Sequence, residues 1–214
     1  MNEVMVKVEN LRKTFREQEV LKGINCEFLR GKTYAVIGNN GSGKSVFFKC
    51  VCGFLTPTSG QVTVGGKRIG KDVDFPESIG LLIEHPGFMQ QMSAFKNLRL
   101  MAGIRGQITD EQIKEVIRKV GLDPSSKKAV AKYSMGMKQR LGIAQAIMED
   151  PELVILDEPF NGLDKGGVEE IRALLMEWKE KGKTILLTSH NSEDITLLAD
   201  HVWEMDAGKM TRVK

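Results

Sequence analysis

The chain has 214 residues, of which 41% are hydrophobic and 28% charged, and this is enough for one substantial hydrophobic core. Its 31 basic and 28 acidic residues give a net charge of +3 without a basic block, so charge offers no argument for nucleic acid and no such partner is expected. The longest apolar runs, such as residues 153–156, fall far short of the ~18 residues that a membrane-spanning helix requires. Residues 1–10 also lack the apolar core of a signal peptide, so we expect a cytoplasmic protein that reaches the inner face of the cell membrane only through a partner.

The first forty residues predict three strands. Polar and apolar residues alternate over 4–9 and 20–28, which indicates two short strands with one buried face. Residues 32–38 are more continuously apolar and predict a buried strand that runs into a glycine-rich loop. A helix is expected directly after that loop.

The glycine-rich loop, GNNGSGKS at 38–45, fits the pattern G-x-x-x-x-G-K-[ST] between a predicted strand and a predicted helix. Its glycines allow the backbone amides to turn inward toward phosphate oxygens, while Lys44 supplies a positive charge and the Ser45 hydroxyl can bind Mg²⁺. The alternative is a flexible turn, but a chance match in a chain of this length has a probability of about one per cent. We therefore predict a nucleoside triphosphate site formed by Gly38, Asn39, Asn40, Gly41, Ser42, Gly43, Lys44, Ser45 and Val46.

Residues 86–150 have a helical pattern and suggest an inserted helical segment. Within it, residues 109–121 begin with a threonine cap and an acidic first turn and end at a glycine. Their apolar positions repeat at helical spacing, at Ile113, Val116, Ile117 and Val120.

Two apolar runs follow the helical segment, at 152–159 and 183–190, and each ends in polar residues. The helix predicted between them has one apolar face, formed by Val168, Ile171, Leu174, Leu175 and Trp178. Strands that alternate with helices in this way predict a parallel α/β core with its chemistry at the carboxyl ends of the strands.

Three polar residues at the ends of these runs are candidate catalytic groups. Asp157 is expected to hold Mg²⁺ through a water, and the adjacent Glu158 to act as general base on the water that attacks the γ-phosphate. The alternative for this acidic pair is a helix cap before Pro159. His190 could donate a hydrogen bond to the γ-phosphate, whereas His85 and His201 have no comparable position and are assigned no role.

The motifs at this point resemble those of the ATP-binding cassette (ABC) ATPases, over essentially the whole chain. YSMGMKQR at 133–140 resembles the family signature, NGLD at 161–164 its D-loop, and TSH at 188–190 its switch histidine. The resemblance implies an α/β P-loop NTPase fold with a mixed, mainly parallel core sheet and an antiparallel β subdomain. It also implies that residues 1–214 are a single domain, with an inserted α-helical subdomain at about 86–150.

The resemblance also implies a nucleotide shared between two subunits. Phe15 matches the aromatic residue that stacks on adenine, with a core position as the alternative. Ser134 and Gly136 match signature residues that face away from their own phosphate loop and contact the nucleotide bound to a second subunit. The expected assembly is a head-to-tail homodimer or heterodimer that closes on two ATP molecules.

Two departures from the family pattern point to a subgroup. Glu84 stands where the Q-loop glutamine is usual, and Met135 and Met137 replace small or polar signature residues. These features resemble the bacitracin and lantibiotic self-protection exporters and related multidrug exporters. The Glu84 carboxylate could still bind Mg²⁺, and the nearby Phe88, Met89 and Met92 either line a groove for a partner helix or belong to the core.

Three functions fit these residues. The first is the ATP-hydrolysing subunit of an exporter that requires a separate transmembrane permease. The second is an ABC protein that acts on ribosomes or DNA. Such proteins typically carry two cassettes, or a long coiled coil between the phosphate loop and the signature, whereas the 87 residues between Ser45 and Tyr133 suffice for the helical segment alone. The third, a P-loop kinase or metabolic enzyme, leaves the motifs at 133–140 and 161–164 without a role. The exporter subunit is the favoured reading.

Overall fold

The computed structural model describes residues 3–84 and 87–214, and these form ten strands and six α-helices. The strands are β1 (Val4–Phe15), β2 (Gln18–Leu29), β3 (Thr33–Ile37), β4 (Ser59–Val64), β5 (Lys67–Arg68), β6 (Ile79–Leu82), β7 (Leu153–Leu156), β8 (Thr184–Leu187), β9 (His201–Asp206) and β10 (Lys209–Arg212). The helices are α1 (Lys44–Val51), α2 (Ala94–Arg105), α3 (Asp110–Lys119), α4 (Met135–Ile147), α5 (Lys165–Glu180) and α6 (Ser192–Leu198), with a short 3₁₀ turn at Val130–Lys132.

The smaller sheet is antiparallel and has the strand order β2-β1-β4-β5. Its first two strands form a hairpin of 12 residues each and are longer than the predicted strands at 4–9 and 20–28. The register shifts between the pairs Val8–Cys26 and Leu11–Ile24, close to Asn10 with its φ of 47°. Because such an irregularity changes which face the next side chains occupy, the alternation of apolar residues breaks while the strand continues.

The larger sheet has the strand order β10-β9-β3-β8-β7-β6, in which every neighbouring pair is parallel except β9 with β10. Its central strands β3, β8 and β7 are the three buried strands predicted from continuous apolar runs. The parallel α/β core is therefore confirmed. Since β8 lies between β3 and β7, the segments that follow these three strands emerge side by side at one edge of the sheet.

The helices predicted from apolar spacing are also confirmed. α3 is capped by Thr109 in a capping box with Gln112, and it buries Ile113 and Ile117. α5 is capped by Asp164, whose Oδ1 accepts a hydrogen bond from the Gly167 N–H at 2.8 Å. Residues 157–158 therefore cap no helix, and the alternative reading of that acidic pair is wrong.

The helical segment is fixed closely to the larger sheet. Leu98, Ile117 and Leu141 belong to the same apolar cluster as Leu156 and Leu187 of the central strands. α4 lies against β6 with backbone contact, because a Cβ added to Gly80 would lie 1.8 Å from the Ala146 carbonyl oxygen. A single domain of residues 1–214 with an insertion at about 86–150 is kept as our proposal. Among the described residues, no helix is both long and apolar enough to cross a membrane.

Candidate functional site

The loop that follows β3 borders a cavity of about 440 Å³. Residues from four other parts of the chain complete its wall: the hairpin, residue 84, the first turns of α4, and the segment after β7. The lining residues are Val20, Asn40, Gly41, Gly43, Lys44, Ser45, Val46, Glu84, Met135, Gln139, Asp157, Glu158 and Asn161. Most of the predicted loop residues therefore share one cavity with the predicted carboxylates.

The loop has the geometry of an anion site. Gly38, Gly41 and Gly43 all have positive φ, as the motif predicts, and Gly43 caps α1 without a side chain. The first N–H groups of α1 consequently face the loop with no side-chain acceptor, and the helix dipole favours negative charge there. Lys44 is buried, and its Nζ donates to the carbonyl oxygens of Gly38 at 2.6 Å and Asn39 at 3.1 Å.

A chain of hydrogen bonds connects the start of α1 to the segments that follow β7 and β8. Ser45 Oγ donates to Asp157 Oδ2 at 2.7 Å, and Thr188 Oγ1 donates to Asp157 Oδ1 at 2.7 Å. The same Thr188 oxygen accepts a hydrogen bond from the Glu158 N–H at 2.7 Å. Thr188 directly follows β8 and orients both carboxylate residues. Its motif had predicted a role for His190 alone, so this role of Thr188 was not predicted.

Glu158 and His190 lie together beside the cavity. His190 Nε2 is 3.1 Å from Glu158 Oε1, and the Glu158 side chain is largely buried whereas that of His190 is exposed. Burial raises the pKa of the Glu158 carboxyl above its ordinary value and the charge of Asp157 adds to the rise, while His190 and Lys44 oppose it. A carboxylate with a raised pKa beside a phosphate loop is suited to act as a general base. This role of Glu158 remains a prediction, and so does the contact of His190 with the γ-phosphate.

The oxygen atoms at the cavity fit a magnesium ion. Ser45 Oγ and Asp157 Oδ2 are 2.7 Å apart, and both are the hard oxygen donors that Mg²⁺ prefers. The described residues contain no group of three or more His, Cys, Asp or Glu side chains that could hold a metal alone. A magnesium ion here would therefore complete its shell with phosphate oxygens and water, as is usual for this ion.

Glu84 borders the same cavity but already has a partner. Its backbone is left-handed, with φ of 59°, and its Oε1 lies 2.5 Å from Lys49 Nζ. Lys49 lies four residues after Ser45 on α1, so the two side chains share one face of that helix. Lys49 was not predicted from the sequence, because no local motif marks a lysine whose partner is 35 positions away.

The predicted signature residues occupy the start of α4. Ser134 is the exposed N-cap, and its Oγ accepts a hydrogen bond from the Met137 N–H at 3.2 Å. Gly136 packs against the turn after β7, where an added Cβ would lie 2.7 Å from the Gly162 carbonyl oxygen. Ser134 and Gly136 are absent from the cavity wall, whereas Met135 from the same turn is part of it.

Phe15 and the groove residues have mixed outcomes. Phe15 is 41% exposed, so the core alternative is wrong and stacking on adenine remains a prediction. Phe88 is buried in the core, which excludes it from a groove, while Met89 is 48% exposed. His201 contacts Arg212 at 2.8 Å and is absent from the cavity wall, and His85 lies outside the described residues.

Comparisons with known proteins indicate the family of the chain. Residues 21–161 match the ABC transporter family. The chain is 41% identical to the uncharacterized ABC transporter ATP-binding protein YybJ of Bacillus subtilis over 96% of the chain and 94% of YybJ. It is 39% identical to the bacitracin transport ATP-binding protein BcrA of Enterococcus faecalis over 97% of the chain and 68% of BcrA.

A solved structure supports the fold. The dimeric post-hydrolysis state of the ATP-binding cassette MJ0796, bound to ADP and Pi, superposes with a TM-score of 0.87 over 98% of this chain and 99% of that one. The two sequences are 22% identical, so the likeness concerns the fold alone.

Proposed function

Because this chain belongs to the ABC transporter family of ATP-binding proteins, we propose that it is the ATP-hydrolysing subunit of an exporter whose transmembrane part is a separate chain. The observation that carries the proposal is the hydrogen-bonded connection from Ser45 through Asp157 and Thr188 to Glu158. This connection supports the proposal because it joins, at one cavity, the residues that we propose for metal binding and proton transfer. BcrA is named for bacitracin transport, which supports the proposal that this chain serves a transporter.

The residues have distinct tasks in hydrolysis. Lys44 and the amides at the start of α1 bind the phosphates, and the exposed Phe15 stacks on the adenine. Mg²⁺ held by Ser45 and Asp157 would neutralise charge on the phosphates. Glu158 accepts a proton from the attacking water, and His190 donates a hydrogen bond to the γ-phosphate.

Hydrolysis drives transport through a dimer. Ser134 and Gly136 supply the second surface for a nucleotide held by the loop of another subunit, and for identical chains the pairing is a closed two-fold dimer. MJ0796 was solved as a dimer in a state bound to ADP and Pi. Because nucleotide forms part of such an interface, hydrolysis followed by release of the products weakens the interface, and the resulting opening moves the transmembrane partner.

Neither the charge of the chain nor the relatives named above support the alternative function on ribosomes or DNA. The net charge of +3 arises from mixed charges, and both curated relatives named above are ABC transporter ATP-binding proteins. The protein would accordingly lie on the inner face of the membrane, bound to its permease.

The proposal is tested by expressing the chain together with candidate membrane proteins encoded by genes next to its own. We expect it to purify with one of them as a complex that hydrolyses ATP, because the proposed exporter has its transmembrane part in a separate chain. If the chain hydrolyses ATP but never associates with a membrane protein, the exporter proposal is wrong and the ATPase activity stands.

Replacement of Glu84 tests its part in the reaction. Glu84→Gln keeps an oxygen atom toward the cavity and should retain most of the turnover. Glu84→Ala should lower turnover roughly tenfold, the effect of losing about one hydrogen bond to a charged group. Steady-state ATPase assays measure both variants.

The matched control is Glu77→Ala, which removes the carboxylate of the exposed Lys67–Glu77 ion pair, also 2.5 Å long but outside the cavity. It should leave turnover unchanged. Equal turnover in wild type and Glu84→Ala would show that residue 84 takes no part in hydrolysis.

A further inference from the structure

A buried amide connects the signature helix to the proposed general base. Gln139 lies on α4, five positions after Ser134, and only 7% of it is exposed. Its Nε2 donates a hydrogen bond to the main-chain oxygen of Glu158 at 2.9 Å. The two residues also border the same cavity.

The backbone at Glu158 depends on such contacts. Glu158 has a φ of 52°, in the left-handed region that residues with a side chain seldom adopt, and such a conformation persists only where its surroundings hold it. Its N–H is held by Thr188, and its carbonyl oxygen accepts from Gln139 and from the Asn161 N–H at 3.2 Å. Of the two donors to this carbonyl, only Gln139 comes from another element of the fold.

α4 is held to the core at two further places. Near its start, Gly136 packs against the backbone of Gly162, and near its end Ala146 contacts the backbone of Gly80. Gln139 lies between these contacts. The first turn of α4 and the segment 158–162 are thus held against each other, so a displacement of one is transmitted to the other.

We propose that Gln139 is a positioning residue that couples the contact made by the start of α4 to the orientation of the Glu158 carboxylate. This inference rests on the proposed function, in which Ser134 meets the nucleotide of a second subunit and Glu158 is the general base. When the nucleotide of the second subunit contacts Ser134 and displaces the first turn of α4, the Gln139 hydrogen bond transmits that displacement to the backbone of Glu158. Gln139 itself touches no reacting atom.

The experiment compares Gln139→Met with Gln145→Met in steady-state ATPase assays and in binding of a fluorescent ATP analogue. The methionine side chain is similar in length to that of glutamine but cannot donate a hydrogen bond. Gln145 lies on the same helix, partly buried, but it borders a separate pocket with Ile104 and Glu149.

We expect Gln139→Met to lower kcat roughly three- to tenfold, the effect of one hydrogen bond. KM and nucleotide affinity should stay near wild type, and Gln145→Met should match wild type throughout.

A fall in kcat without a change in KM or nucleotide affinity distinguishes positioning from general destabilisation. The thermal unfolding midpoints of the two variants show whether both are folded. Should Gln139→Met be unstable, Gln139→Asn and Gln145→Asn replace the pair, because asparagine keeps the amide but is one methylene too short to reach the carbonyl. Equal kcat in the matched variants, or a parallel loss of affinity and kcat, would overturn the inference. Absence of hydrolysis by the wild-type protein would instead contradict the proposed function.

Discussion

Glu158→Gln is expected to lower the turnover of ATP by about 10²-fold or more, the usual effect of losing a general base. Glutamine has nearly the shape of glutamate but cannot accept the proton of the attacking water. ATP and Mg²⁺ binding should persist, because the loop at 38–45 and Asp157 are unchanged. Steady-state turnover together with equilibrium binding of a fluorescent ATP analogue measures both halves of this expectation.

Lys44→Ala provides the contrast within the same cavity. It removes the buried ammonium that faces the loop carbonyls, and it should weaken nucleotide binding itself. The two variants therefore separate proton transfer from phosphate binding. Turnover near the wild-type value in Glu158→Gln would remove the general-base assignment from this residue.

The Glu158→Gln protein should also become dimeric in the presence of ATP and Mg²⁺, because it binds the nucleotide without consuming it. Its mass in solution should change from 23.8 kDa toward twice that value. Addition of Ser134→Arg should abolish the dimer, since the exposed N-cap of α4 would then carry a bulky side chain where the phosphates of the other subunit must approach. Light scattering coupled to gel filtration measures the mass directly.

Thr109→Arg in the Glu158→Gln background is the matched control. It removes the N-cap of α3 and so carries a similar loss of helix stability, about 1 kcal/mol, away from the cavity. This control should still dimerise. Dimers that persist with Ser134→Arg would place the signature outside the interface, and a monomer in the Glu158→Gln protein despite bound ATP would indicate that a different partner subunit is required.

Local motifs carried most of what could be predicted about the site. The spacing at 38–45 and the polar ends of the strands at 157 and 188 are short-range patterns, so the loop, both carboxylates and the histidine could be identified before the fold was known. The central strands and α5 were predictable for a similar reason, because the period of their apolar residues follows directly from burial.

The contacts that organise the site are of another kind. The Lys49–Glu84 pair, the Thr188 bridge and the Gln139 hydrogen bond each join residues that are 19 to 35 positions apart. No period or spacing within one element encodes such a pair, since the contact exists only once the sheet has brought the elements together. The second half of β1 was not predicted either, because the irregularity near Asn10 breaks the alternation of apolar residues by which a strand is recognised.

The Lys44 ammonium lies inside the phosphate loop, where it donates hydrogen bonds to two carbonyl oxygens of the loop itself. A buried ammonium without acceptors would be costly, so these two hydrogen bonds favour the curled shape of the loop. Under the proposed function, we expect nucleotide binding to be an exchange of acceptors, in which phosphate oxygens replace peptide oxygens around the same nitrogen. Release of the products would return the nitrogen to those peptide oxygens, so the loop would regain its shape without any refolding of the chain.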